Sequence, residues 1–195
     1  MKRMEAVIIA GGKSTRMGFD KQFLSKGDKS IFERNLPLLQ RCFSKVRVIT
    51  NRPELYEEYA VETNRDVIPG FGPLSGLHSA LVHSEEEYCY ALACDMPILN
   101  EDYIAYIKGI VSAAKPDACV SRCGLHIEPF HGVYGKGALP VIEADLLEEK
   151  ASVKKSLEKV NTFYISEEIT RSFTPDWSLF MNLNTKEDYE RFLVG

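Results

Sequence analysis

Early in the chain a glycine pair is followed by three cations: Ala10-Gly11-Gly12-Lys13-Ser14-Thr15-Arg16-Met17-Gly18-Phe19-Asp20-Lys21. Consecutive glycines let a backbone come close to a ligand and aim its N–H groups at it. Lys13, Arg16 and Lys21 are the residue types that hold a polyphosphate. A second point of chemistry is Asp95, in Cys94-Asp95-Met96-Pro97. Magnesium is usually held by one or two carboxylates plus substrate phosphates, and Asp95 suits that role; a turn or helix-cap aspartate is the plainer reading. Asp66 is a further carboxylate near a strand end, read equally well as a solvated loop residue beside Arg65. The four histidines, His78, His83, His126 and His131, have neither metal spacing nor an evident nucleophile partner, and read mostly as helix-surface or loop residues.

Two familiar phosphate loops do not fit. A Walker loop needs a glycine where Val7 stands. A dinucleotide fingerprint needs a third glycine at a fixed offset, but Gly11 and Gly12 are adjacent and the next is Gly18. A glycine-rich connection of any α/β protein stays open as the alternative, weakened by the cations.

These residues need elements to position them. Residues 5–10 form the first strand, and the continuous apolar run from Ala6 marks it as buried in a parallel sheet. A loop extends to about residue 29. Ser30-Ile-Phe-Glu33 is a capping box that opens a helix to Cys42, which Pro37 is expected to kink or shorten. Val46–Thr50 reads as a second strand, followed by a turn and a short helix from Pro53 to Tyr59. A short strand lies within Val61–Ile68, and residues 69–73 are a loop before a helix over 74–82. Tyr88–Cys94 reads as a central strand that stops at Asp95, and Asn100 caps a helix to Ala114. This alternation predicts a doubly wound, mostly parallel α/β sheet, with ligands at the carboxyl ends of its strands. Beyond Lys115 the pattern changes: strands at 117–122 and 128–134 about Gly124, helices at 135–149 and 152–160, and a strand at 161–165. Irregular chain at 167–178, a strand at 179–183 and a last helix capped by Thr185 and Asp188 follow. The expectation is one domain over 1–195, its second part a mixed-sheet extension over the nucleotide end.

Composition limits the function. A net charge of −4 argues against general nucleic-acid binding, which shows a basic balance. No run approaches the roughly 18 apolar residues of a membrane helix, and the opening Met1-Lys2-Arg3-Met4-Glu5 does not resemble a secretory leader. Five scattered cysteines favour reduced thiols in the cytoplasm.

Ile9-Ala10-Gly11-Gly12 with Lys13, Arg16, Met17-Gly18 and Asp20-Lys21 resembles the opening signature of the molybdenum cofactor guanylyltransferases, within the wider nucleotidyltransferase group. Gly72-Pro-Leu-Ser-Gly76, Cys94-Asp95-Met96-Pro97 and Asn182-Leu-Asn184-Thr185 resemble later family motifs in the same order. The resemblance implies a Rossmann-like nucleotidyltransferase fold, with 1–114 binding nucleotide and 115–195 the acceptor. It implies transfer of GMP from GTP to the phosphate of molybdopterin, with Mg2+ as cofactor and pyrophosphate as leaving group. Asp95, Arg16 and Lys21 would be catalytic, and Asp95 the metal ligand. Ile9, Ala10, Gly11, Gly12, Lys21, Asp66 and Asp95 would bind GTP; Asn182 and Asn184, offering both donor and acceptor, would bind the pterin or its phosphate, if they are not simply a turn and cap. Ala-Gly-Gly rather than Ala-Ala-Gly points to the guanylyl branch. The chain departs from the family after its second strand, where Ile49 stands at the expected place of a polar guanine contact. Glu128-Pro-Phe-His131 occupies a family-like position without an assigned role, and Lys154-Lys155 is a solvated face or an acceptor-phosphate contact. Downstream molybdoenzymes or their chaperones would receive the product. The alternatives are a cytidylyl- or sugar-nucleotidyltransferase of the same fold, or a non-catalytic nucleotide-binding module.

Overall fold

The computed structural model describes residues 4–10, 25–26 and 28–194. Seven strands form one sheet: β1 (Met4–Ile9), β4 (Val46–Ile49), β5 (Glu62–Asn64), β6 (Tyr88–Ala93), β7 (Ala118–Cys123), β8 (His126–Gly135) and β9 (Thr162–Ile165). Their order is β5-β4-β1-β6-β8-β7-β9, with β2 (Ser25–Lys26) and β3 (Lys29–Ser30) in a separate small hairpin. Only β8 runs against its neighbours in the large sheet. The mostly parallel, mixed sheet expected from the alternation is therefore present.

Every residue of β1 and β6 is buried, because helices cover both faces. On one face Ala6, Ile8, Tyr90 and Leu92 pack against α1 (Ile31–Cys42) and α3 (Glu101–Ala114). On the other, Val7, Ile9 and Ala91 pack against α2 (Pro73–His83) and α4 (Leu139–Leu147). Glu5 is the polar exception inside β1, buried and ion-paired with Arg47 at 3.3 Å.

Local signals account for much of this frame. The Ser30–Glu33 capping box is formed, with Glu33 N–H donating to Ser30 Oγ at 3.2 Å and Ser30 N–H to Glu33 Oε2 at 2.7 Å. α1 ends at Cys42 as expected and runs through Pro37 without being shortened. The proline ring is on the exposed side, while Ile31, Phe32, Leu36 and Leu39 pin both turns to the core. Gly76 explains part of the Gly72–Gly76 motif: a Cβ there would lie 2.4 Å from Ile9 Cγ2, so glycine lets α2 settle over the end of β1.

The second part departs further from expectation. Residues 167–178, read as irregular, contain α6 (Glu167–Phe173), capped by Ser166 and seated by buried Thr170 on Ser121 at 2.8 Å. Residues 179–183 are not a strand: a 3-10 turn over Ser178–Phe180 leads into an extended stretch with no ladder partner. The expected helix over 135–149 divides into the end of β8, a 3-10 turn at Lys136–Ala138 and α4, and that over 152–160 shortens to α5 (Val153–Leu157). The chain ends in α7 (Lys186–Val194). No helix among the described residues is long and apolar enough to cross a membrane.

Candidate functional site

The strand order reverses at β1. From β1 the chain moves outward to β4 and β5, then returns to β6 on the other side. At such a switch point the loops after the two neighbouring strands part, leaving a crevice at the carboxyl rim. Ile9 is paired with Ala93, Cys94 N–H donates to the Ile9 carbonyl at 3.1 Å, and Ala10 N–H donates to the Ile49 carbonyl at 2.8 Å. Ala10 and Asp95 therefore leave adjacent strands at the same edge. Gly11, Gly12, Lys13, Arg16 and Lys21 lie outside the described residues.

Asp95 sits in a turn held on several sides. Met96 N–H donates to the Ala93 carbonyl at 3.2 Å, and the Met96 carbonyl accepts from Asn35 Nδ2 at 2.9 Å. Most telling, Leu183 N–H donates to the Asp95 carbonyl at 3.0 Å. That bond draws a segment almost ninety positions away to the same rim. Leu183 is buried beside Ile31, and its neighbours Asn182 and Asn184 are half-buried and exposed respectively. Asn182 Nδ2 donates to the Phe180 carbonyl at 3.1 Å. The N–H groups of Asn184 and Thr185 both donate to Asp188 Oδ2, at 3.1 and 2.9 Å, while Asp188 N–H donates to Thr185 Oγ1 at 3.1 Å. The expected cap of the last helix by Thr185 and Asp188 is thus real.

Asp66 follows β5, three strands from β6, so their ends are separated by about 14 Å at ordinary strand spacing. Its loop is anchored by Val67 N–H to Ser79 Oγ at 2.8 Å and Phe71 N–H to Ser75 Oγ at 3.0 Å. Asp66 Oδ1 is buried without a hydrogen-bond partner. Burial pushes this carboxyl above the usual range, with a hydrogen bond from Asn51 opposing. A buried acceptor of this kind is costly unless something donates to it. Asn51 was missed by sequence reasoning, which placed Ile49 at this point. Ile49 is wholly buried in the sheet, whereas Asn51 is exposed at the rim beside Asp66. The signal was an amide directly after a strand ending in Val-Ile-Thr; the strand's exact end was needed to read it.

The histidine expectation needs correction: His78 and His131 are fully buried. Lys154 is not merely solvated, since its Nζ donates to the Leu125 carbonyl at 3.0 Å and closes the β7–β8 hairpin. Among the described residues no three His, Cys, Asp or Glu side chains gather into a metal cage. The Asp95 carboxylate at the strand-end rim fits a hard divalent ion, which takes oxygen ligands from a carboxylate and from substrate phosphates.

An open α/β sheet with this switch point, a glycine pair just after β1 in the sequence and an aspartate after β6 are the marks of a nucleotide-handling enzyme of the nucleotidyltransferase class. The chain belongs to the MobA-like NTP transferase domain family, whose model matches residues 6–162. It is 42% identical to the molybdenum cofactor guanylyltransferase of Syntrophotalea carbinolica, over 98% of this chain and 91% of that one. It is 41% identical to the probable molybdenum cofactor guanylyltransferase of Peptoclostridium acidaminophilum, over 96% and 87%. The crystal structure of molybdopterin-guanine dinucleotide biosynthesis protein A from Archaeoglobus fulgidus matches with a TM-score of 0.85 and 25% identity, covering 96% of each chain. The protein is a nucleotidyltransferase, an enzyme class that uses a divalent metal ion.

Proposed function

We propose that this chain transfers GMP from GTP to the phosphate of molybdopterin, releasing pyrophosphate and forming the guanine dinucleotide cofactor. The observation that carries the reading is the convergence at one rim of Ala10, Asp95 and the Asn182–Asn184 segment, through the Cys94–Ile9 and Leu183–Asp95 backbone bonds. A donor nucleotide lies along the β5-β4-β1 part of the rim and the acceptor approaches from the Asn182 side.

The attacking group is a phosphate monoester, whose second pKa is about 6, so it is largely ionised at neutral pH. No general base is needed. The difficulty is to bring two anions together and release a third, which positioning and fixed charge accomplish. Asp95 would hold Mg2+, which when bound would supply positive charge to offset that of the phosphates. Arg16 and Lys21, with Lys13, stabilise the departing pyrophosphate. The backbone from Ile9 to Gly12 approaches the nucleotide. Asp66 and Asn51 face guanine or ribose: a carboxylate oxygen that lacks a donor suits the N1–H and amino group of guanine. Asn182 and Asn184 hold the pterin or its phosphate. Residues 1–114 thus form the nucleotide half, and 115–195 the acceptor half, of one domain. Five free cysteines suit a reducing cytoplasm, where molybdoenzymes or their chaperones would take up the product.

The test is direct. The purified chain with GTP, Mg2+ and molybdopterin should release pyrophosphate in step with dinucleotide formation, and CTP, ATP and UTP should not substitute. Equal turnover with CTP, or pyrophosphate release that ignores molybdopterin, would sink the reading.

A further inference from the structure

The antiparallel strand β8 contains an irregularity that the transfer reaction leaves unexplained. Its pairing with β7 passes from Cys119↔Val133 to Ser121↔Glu128. Between those pairs β7 has one residue and β8 has four, Pro129 to Gly132. The β6–β8 pairing ends at Ala91↔Gly132. So β8 swells away from β6 just before β6 reaches Asp95. Bulges of this kind re-aim side chains and are frequent beside active sites. This one is held open by specific contacts. Tyr134 Oη donates to the Pro129 carbonyl at 2.6 Å. His131 takes a left-handed backbone with φ +53° and meets the Tyr90 hydroxyl through Nδ1 at 2.6 Å.

The bulge carries the segment that leads to the two asparagines. At its start Glu128, 9% exposed, accepts a hydrogen bond from Trp177 Nε1 at 2.9 Å. Trp177 is itself strained, with φ +64°. Its ring lies 5.0 Å from that of Phe180, and Phe180 lies edge-on to His131 at 5.8 Å. Three residues later Leu183 donates to Asp95. The path from Glu128 to Asn182 is therefore a short chain of fixed contacts, with two non-glycine residues held at positive φ. Such strain persists only where surrounding contacts over-determine it.

We propose that Glu128 and Trp177 are positioning residues for the acceptor: their hydrogen bond seats the 177–184 strap on the β8 bulge and so sets where Asn182 and Asn184 stand relative to Asp95. This rests on the reading that those asparagines bind molybdopterin. Glu128 stands on β8, across β6 from β1, β4 and β5, so the clamp acts on the acceptor side of the rim.

The test uses Trp177→Phe, which keeps an aromatic ring but removes the donor, together with Glu128→Ala and Glu128→Gln. Trp177→Phe and Glu128→Ala should raise the molybdopterin KM roughly tenfold while the GTP KM stays within about twofold. Glu128→Gln, which keeps an acceptor oxygen, should restore the molybdopterin KM toward the parent value. Trp177 is the only tryptophan in the chain, so its emission reports the clamp without turnover. Emission should shift to the red in Glu128→Ala and remain near the parent in Glu128→Gln. A parallel rise in both KM values, an unchanged molybdopterin KM in Trp177→Phe, or identical emission in the two Glu128 variants would overturn the clamp. Failure of the parent to use molybdopterin would instead overturn the function proposed above, and the emission comparison would still decide whether the bond holds the strap.

Discussion

Residues 4–114 and 115–194 build opposite sides of the same rim by different means. In the first stretch the sheet strands β1, β4, β5 and β6 alternate with helical segments and pair with one another in parallel and in regular register. In the second, an antiparallel strand swells by three residues, and a strap with little regular structure crosses the strand ends. Among the described residues all four non-glycine residues with positive φ, Lys115, His131, Glu149 and Trp177, fall in the second stretch. The first stretch is thus a locally encoded frame, and the strap of the second is a conformation held by contacts between distant residues.

The sharpest break of this comparison is at the point where the two sides meet. Asp95→Ala should lower kcat/KM for transfer by about a thousandfold, a magnitude typical of losing a fixed transition-state charge contact. The melting temperature should remain within a few degrees, because alanine retains the carbonyl that accepts from Leu183 N–H and holds the strap at the rim. Steady-state pyrophosphate release and thermal melting check both halves of that expectation.

A packing change confined to the frame should act on stability. Gly76→Ala forces a methyl group onto the Ile9 side chain at a nominal 2.4 Å. A cost of about 1–3 kcal/mol is expected from overpacking a close contact, read as a lower urea midpoint with unchanged m-value. If the midpoint were unmoved, α2 would not be as tightly seated on β1 as the geometry requires.

On the other side, burial pushes His131 down to about 3. Folding then leaves it neutral while the unfolded chain, with a value near 6.5, takes up a proton. Stability is present above about pH 6.5 and is lost as pH falls toward 3, at up to roughly 1.4 kcal/mol per pH unit for this one group. His131→Asn, a residue that tolerates the same backbone region, should show a shallower loss of stability between pH 6 and 4. Equal slopes in denaturation series would contradict the assignment.

The smallest effect belongs to Asp66. Its folded value is raised by burial, so its contribution to stability is full below the unfolded value and declines as pH rises through the folded one. Asp66→Asn should therefore melt slightly above the parent at pH 7 without nucleotide, with the difference vanishing near pH 3. The same variant should bind GTP more weakly. Higher stability with undiminished GTP affinity would remove Asp66 from the nucleotide side.

How much was legible follows the same division. The Ser30 and Asn100 caps, the two buried strands and the glycines of the 72–76 motif are signals read within a few residues, and the structure contains them. The helix over Glu167–Phe173 was missed because its sequence is mostly polar and its stability comes from Thr170 bonding Ser121. The apolar 179–183 run looked like a strand because alternation cannot show whether a partner edge is available. Asn51 was overlooked because one or two residues of strand length decide whether a side chain is buried in a sheet or stands on its rim.

The sequence by itself determined the alternating frame, the glycine pair and cations that come after the first strand, and the carboxylate just past the sixth strand, since each depends on neighbours close in the chain. Only the tertiary structure decided that Leu183 is bonded to Asp95, that Glu128 holds Trp177, and that Asn51 shares the rim with Asp66. Those outcomes depend on sheet order, register and one bulge, which arise when segments up to ninety residues apart compete for the same buried surface.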